Sequence, residues 1–537
     1  MMTTEVNMEE RQLTGRGLFI GLGGLLIITA SSMYIALRMG ALPWPTVFVT
    51  VISMAALKKC KHSTIHEINC THTIMSAGAM VAGGLAFTLP GMWMLDPNAS
   101  ISTFSMISLT IVGTILGTAF TSVFRRRMIE EENLPYPMGQ AAYNTLSAGM
   151  EGGKNAKTLF TSMGASALFT AFRDGAGKIP SLLKIMGGTA FFQPMYIWVS
   201  PMAVGIGAII GPVLALVWFL GMVLGYYIIT PVGLATGMFA DMAAAELFRQ
   251  NLGIGLMIGT GLGVLVKAVY GLAKSKRSHK KEPLSKRSVT ALSLIILLSM
   301  ITLTLTTQVT FLETIPLVAG VFCATYLSSM LTGQTGINPM EIFGILVLLF
   351  VQFLFKPALA PAFTIVAVTA VACGLAGDVM NDLKCGYLLG ADPKQQIIGE
   401  GIGGIVGSVV SVFVLLALKQ AFGSFGTEAL PAPQAAAVSA MIGGPKQGTA
   451  FAIGCIVGLV LFLCNIPTAT LGLGFYLSTA ISTIMALGAI IAAIAKKAFV
   501  RTGHDAAKVE TNLALLSSGF LGGEGITGVI IAIISMF

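Results

Sequence analysis

A chain of 537 residues, 55% hydrophobic and 10% charged, with a mean hydropathy of +0.84, does not describe a soluble globular protein, in which about 25% of residues are charged. The formal charge of +9 comes from Lys and Arg in short clusters between apolar runs, the pattern of topology-setting loops and not of a nucleic-acid surface. The apolar runs do not alternate with polar residues as porin strands would, and 63 Gly with 29 Met suit closely packed helices, so the fold class is an all-α polytopic membrane protein.

The first 15 residues are polar, with no cleavable signal peptide, so the first span must itself direct insertion. Apolar runs of spanning length follow at about 18–37, 41–57, 70–94, 101–124, 157–172, 204–229, 252–273, 288–308, 311–331, 338–356, 359–380, 398–418, 447–464, 468–495 and 512–536. Shorter candidates lie at about 134–148, 180–199 and 430–444. Lys58, Lys59 and Lys61, Arg125 to Arg127, the run KSKRSHKKEPLSKR at 274–287, and Lys496, Lys497 and Arg501 are expected on the cytoplasmic side. That scheme holds together if 134–148 and 430–444 cross and 180–199 does not, which gives about 17 crossings, a cytoplasmic N-terminus and an outer C-terminus. The seven Cys are scattered through apolar runs and read as packing residues, not as a disulfide framework.

Polar interruptions mark candidate sites. His62, His66, Cys70 and His72 have metal-ligand chemistry, but HSTIHEINC lacks the His-Glu-x-x-His spacing of a zinc protease, and a solvated helix start after a Lys cluster explains it as well. No metal or other cofactor is expected. The segment NLPYPMGQAAY (133–143), with Tyr136 and Gln140, leads into a helix too short for a bilayer; Pro at its start leaves free amides at membrane depth, where a substrate carboxylate can dock. Arg173 and Asp174 read as an interfacial ion pair. The Gly-rich turn LTGQTGINPM offers Gln334, Thr335 and Asn338 to a zwitterion or a cation, and Gln434 in LPAPQAA repeats the Gln140 position. Asp378, Asp382 and Lys384 follow an apolar run directly; three such charges facing lipid would cost about 8–10 kcal/mol, so they must be sheltered, paired or wet. Asp378 and Asp382 share a helix face at i, i+4, whereas Gly374, Gly377, Gly386 and Gly390 argue for a broken helix. A helix ending at the cytoplasmic surface is the plainer alternative. Glu341, Glu400 and Glu524 are the other carboxyls in apolar context and complete a proton-coupling or charge network in which Lys384 balances the aspartates; for Glu400, a helix N-terminal acid at the interface also fits.

The halves echo each other. YIALRMGALPWP, from Tyr34, resembles YLSSMLTGQTGINP, from Tyr326; NLPYPMGQAAYNTLSAGM resembles ALPAPQAAAVSAM; VGIGAIIGP resembles LGLGFYLST. The offsets are about 294, 296 and 267 residues, in the same order, as expected for a duplicated unit of about eight spans. Residues 1–273 form the first half, 274–310 a basic loop and a linking span that inverts the second copy, and 311–537 the second half. Inverted repeats with broken or half-length helices imply alternating access about a midplane site.

The motifs NCTHTIMSAGAMVAGGLAFTLP, LPYPMGQAA, GIGAIIGP, LTGQTGINPM, DLKCGYLLGADPKQQ, LPAPQA and SSGFLGGEGITGVI together resemble the oligopeptide transporter superfamily in its prokaryotic branch, related to the yellow stripe-like metal-chelate transporters. The resemblance runs in order over nearly the whole chain. It implies about 16 spans, so that 134–148 or 430–444 is re-entrant, and a secondary transporter, usually proton-coupled, for small peptides, modified peptides or metal chelates. Met138 and Cys385 stand where Ser and Thr are common in the family, which weakens any transfer of substrate identity. An uncoupled channel or facilitator for a small polar solute is the alternative. No ATP-binding motif is present, and an intramembrane enzyme built on His62, His66 and Glu67 is the least supported reading. The expected partners are a small peptide or chelate substrate, protons and the lipid bilayer of the plasma membrane, with a homo-oligomer left open.

Overall fold

The computed structural model describes residues 11–40, 42, 46–58, 60, 62–149, 154–189, 191–274, 286–335, 338–444 and 446–534. Lys59, Lys61, Gly336, Ile337 and the basic loop at 275–285 lie outside the described residues, as does the side chain of Thr335. The helices are α1 Gly15–Met39, α2 Thr46–Leu57, α3 Ile65–Ala86, α4 Pro90–Leu95, α5 Thr103–Arg125, α6 Pro137–Gly149, α7 Lys154–Thr170, α8 Pro201–Met222, α9 Thr230–Ala235 and α10 Met242–Lys274. They continue with α11 Lys286–Thr306, α12 Phe311–Thr335, α13 Met340–Leu354, α14 Leu359–Leu389, α15 Pro393–Phe422, α16 Pro433–Gly443, α17 Gly448–Leu463, α18 Thr468–Tyr476, α19 Thr479–Arg501 and α20 Ala506–Ile534. One antiparallel hairpin, β1 Leu182–Met186 with β2 Met195–Trp198, occupies the expected non-crossing segment. The protein is thus the all-α polytopic membrane protein that composition requires.

Among the described residues ten helices are long and apolar enough to cross a membrane, fewer than the expected 17. Much of the difference lies in short elements: α2 has 12 residues, α6 13, α7 17, α13 15, α16 11 and α17 16, while of the expected run at 468–495 only α19 is long enough. The spans α3–α4 (Ile65–Leu95) and α14 form the centre, their most apolar 18-residue stretches 100% and 89% buried, whereas that of α11 is 11% buried and presents Leu294, Leu297, Leu298 and Leu305 outward. Small residues let the central helices touch: a Cβ at Gly84 would stand 2.8 Å from the Val371 backbone, and one at Gly117 2.6 Å from the Ala372 carbonyl.

Two of the sequence expectations change here. α14 runs unbroken for 31 residues and stops at Gly390, which adopts φ 75°. Its glycines are packing sites and not breaks: Gly374 faces Met340 and Met80, and Gly386 faces Gln396, so tertiary contact overrides weak helix propensity. Nor is the helix in either 134–148 or 430–444 long enough to cross by itself. α16 has 11 residues, about 17 Å, against a hydrocarbon core of about 30 Å. Gly426 packs on Met94 and Gly443 on Leu95, so the segment enters and leaves at the α4 end, while Pro433 reaches inward to Gly40. α6 likewise starts inward, against Gly333 and Asn381, and then packs Ala142 and Leu146 beside Cys385 and Leu57.

The starts of these half-length helices are matched in detail. Tyr136 and Ala432, each preceding the first proline, adopt φ 42° and 43°. The Tyr136 N–H donates to the Gly333 carbonyl (2.9 Å) and the Ala432 N–H to the Leu37 carbonyl (2.8 Å). The same displacement in sequence carries 136 to 432 and 37 to 333, so each bond is the image of the other with the halves exchanged. α1 and α12, the acceptor helices, are both 25 residues long, and Ile65–Leu95 and Leu359–Leu389 are both 31. Thr114 and Ser408, related by nearly that displacement, meet each other at 3.1 Å.

Substituting Gly117→Val, which drives a side chain into the α14 backbone, is expected to destabilise the fold by about 1–3 kcal/mol, read as a lower melting temperature of the detergent-purified protein. Gly401→Ala, with open space around it, should leave that temperature equal or slightly higher, since Ala is the better helix former.

Candidate functional site

Two features stand out at the centre. The first is a cavity of about 580 Å³ walled by both halves, by Gly40, Met80 and Met257 from one and by Gln334, Asn338, Glu341 and Gln434 from the other. Four of the residues singled out by sequence therefore meet in one space. Gln334 is exposed to it, Glu341 sits in the first turn of α13, and the Gln434 Nε2 donates to the Gly40 carbonyl at 2.9 Å. Asn338 is also structural: its Oδ1 accepts from the Ser328 hydroxyl (2.9 Å) and its Nδ2 donates to the Cys373 carbonyl (2.8 Å), fixing the α12–α13 turn against α14. Tyr136 and Gln140 lie outside this wall. The buried Tyr136 hydroxyl donates to the Ser329 carbonyl (3.0 Å), and Gln140 bonds Asn144 (3.3 Å).

One residue of the wall is not evident from sequence. Lys267, on α10, donates to the Phe462 carbonyl (3.1 Å) and to Asn465 Oδ1 (2.8 Å). A single Lys inside the apolar stretch GLGVLVKAVYG is the signal that points to it, obscured by its closeness to the basic loop.

The second feature is a buried carboxyl cluster. Asp378 and Asp382 from α14 and Glu400 from α15 each present an oxygen, all within 4.8 Å of one another. Among the described residues, neither oxygen of Asp378 nor either of Glu400 has a hydrogen-bond partner. Asp382 accepts from the Ser76 hydroxyl at 2.8 Å, and His72 Nε2 stands 3.1 Å from its Oδ1, in contact but off the line of a hydrogen bond. Gln396 donates to the Asp382 carbonyl at 3.1 Å. Two carboxylates at this spacing repel by about 3 kcal/mol at an effective dielectric of about 20, so the cluster requires positive charge, as protons or as a metal ion for which the spacing also suffices. The i, i+4 spacing of the aspartates produces their shared face. Glu400 joins them because Gly403 packs on the Ile74 backbone and Gly407 on Gly78, which brings α15 flush against α3. The cluster adjoins the cavity: Gly374, one turn before Asp378, touches the wall residues Met340 and Met80.

Lys384 does not balance this cluster. Two residues beyond Asp382, it points about 200° around the helix, and its Nζ donates to Asn133 Oδ1 at 2.7 Å, holding the lead-in to α6. Glu524 is also separate and fully engaged: it takes Arg173 (2.8 Å), the Ser200 hydroxyl (2.9 Å) and the Met202 N–H (2.8 Å). Arg173, expected at an interface beside Asp174, is buried and bridges both acids. The histidines do not converge on a metal site. His62 is exposed, Glu67 is held by Arg16 (2.6 Å) and by the Thr14 hydroxyl, and His72 is the one that stands beside Asp382 among the described residues.

Comparison with known proteins gives one pattern. The family described as OPT oligopeptide transporter protein matches residues 12–535. A Haemophilus influenzae protein named for oligopeptide transport is 27% identical over 589 aligned positions, covering 94% of this chain and 92% of its own length. An Oryza sativa subsp. japonica protein named for metal-nicotianamine transport is 29% identical over 184 positions, 29% of this chain and 24% of its own.

The two acidic environments predict opposite stability effects. Glu524→Ala takes one of two acids from the buried Arg173 and leaves the Ser200 hydroxyl and the Met202 N–H without their acceptor, and is expected to cost about 1–3 kcal/mol. Asp378→Asn removes an unpartnered charge and should leave the melting temperature equal or higher; thermal unfolding of both variants checks the pair.

Proposed function

Since the chain belongs to the OPT oligopeptide transporter family, we propose that it is a proton-coupled secondary transporter of the plasma membrane that moves small peptides, modified peptides or metal chelates. The halves 1–273 and 311–537, joined by the basic loop and linking span at 274–310, act as inverted repeats that open the cavity alternately to either side. The paired bonds Tyr136–Gly333 and Ala432–Leu37 support the two-fold relation that inverted repeats require, because such a relation predicts that each contact recurs with the halves exchanged. The cavity, walled by both halves, is the substrate site, with Gln334, Asn338 and Gln434 as its polar lining.

The observation that carries coupling is the cluster of Asp378, Asp382 and Glu400, buried one helical turn from the cavity wall with His72 as a basic contact. A proton shared among these oxygens relieves their repulsion, and its binding and release as helices α3, α14 and α15 separate and close ties proton movement to substrate movement. Arg125 and Arg127, with the basic residues at 58 and 274–287, support a cytoplasmic N-terminus.

Reconstituted protein should accumulate peptide or chelate against its gradient when the outside is acidic and stop when an ionophore collapses the pH difference. Asp378→Asn and Glu400→Gln should retain substrate exchange while losing gradient-driven accumulation. Uptake indifferent to the ionophore would instead identify an uncoupled facilitator.

A further inference from the structure

The central cavity carries one charge of each sign on its wall, Lys267 from α10 and Glu341 from α13. Neither forms an ion pair among the described residues. An ammonium has three N–H donors; the Phe462 carbonyl and Asn465 Oδ1 take two from Lys267, leaving one for a ligand. Glu341 is 7% exposed and heads its helix.

The helices set the axial offset between the two. Gly261 packs directly on Ile342, the neighbour of Glu341. Lys267 lies six residues further along α10, an axial rise of about 9 Å at 1.5 Å per residue. An extended peptide of two or three residues spans about 7–10 Å. A neutral solute in this space leaves both charges desolvated and unpaired, a singly charged one leaves one, and a zwitterion of this length satisfies both. The remaining wall is permissive, since Met80, Met257, Met340 and Phe462 are flexible or flat apolar surfaces that accept varied side chains.

We infer that the cavity recognises short zwitterionic peptides by their two ends, Lys267 taking the terminal carboxylate and Glu341 the terminal ammonium. This rests on the cavity being the substrate site. The competing role for Lys267 is purely structural, as a cap on the last carbonyls of α17, and the experiment separates the two.

Equilibrium binding to the purified full-length protein is measured with trialanine, N-acetyl-trialanine and trialanine amide. Each blocked end is expected to weaken binding by about tenfold or more, as for loss of a charge-assisted contact. Lys267→Gln should bind trialanine and its amide equally while keeping the penalty for acetylation. Glu341→Gln should show the reverse, and Lys267→Arg should retain the carboxylate preference. Blocked peptides that bind the native protein within about twofold of trialanine overturn the inference and leave the substrate cavity intact. A Lys267→Gln variant that weakens all three peptides by one common factor assigns Lys267 to capping and overturns it too. No binding by any of the three overturns the inference together with the cavity's reading as a peptide site.

Discussion

In hydrocarbon no water is available to satisfy a backbone N–H, so a helix can begin at membrane depth only if the protein supplies the acceptor. α6 and α16 meet that condition through Tyr136 reaching the Gly333 carbonyl and Ala432 reaching the Leu37 carbonyl. The acceptors come from the last turns of α12 and α1, each in the opposite half. The short helices thereby fasten the halves together and bring the α1 and α12 ends to the cavity, where Gly40 and Gln334 form part of its wall.

The same scarcity of water explains the contrast between the buried charges. Arg173 and Glu524 are both enclosed and meet directly, with Ser200 and Met202 completing the shell, so their arrangement is stable and closed. Asp378 and Glu400 are equally enclosed yet have no such partners. A fold that meets the needs of one acid so fully and leaves two others open retains the second pair at a cost in stability, which is how sites that bind and release ions are commonly built.

Glycine is the device that allows both features. Gly403 and Gly407 let α15 lie against α3, which delivers Glu400 to the aspartates, and Gly84 and Gly117 let α14 sit between α3 and α5. These contacts use no hydrophobic driving force, which lipid would cancel, but close dispersion contact between backbones.

Much of this was legible in the residues. Composition dictates a helical membrane protein, because so few charges cannot cover a water-facing surface. Pro137 marks the start of a helix too short for a bilayer, although the charge pattern asked 134–148 and 430–444 to cross. The i, i+4 spacing of Asp378 and Asp382 dictates a shared face. What the chain alone did not decide depends on neighbours distant in sequence. Whether the α14 glycines break the helix or admit a neighbour turns on Met80, Met340 and Gln396; whether Lys384 balances the aspartates turns on Asn133; and the meeting of Lys267 with Glu341 around one cavity turns on Gly261 packing against Ile342. Local spacing determines which face of a helix a residue occupies, and only tertiary packing determines what that face meets.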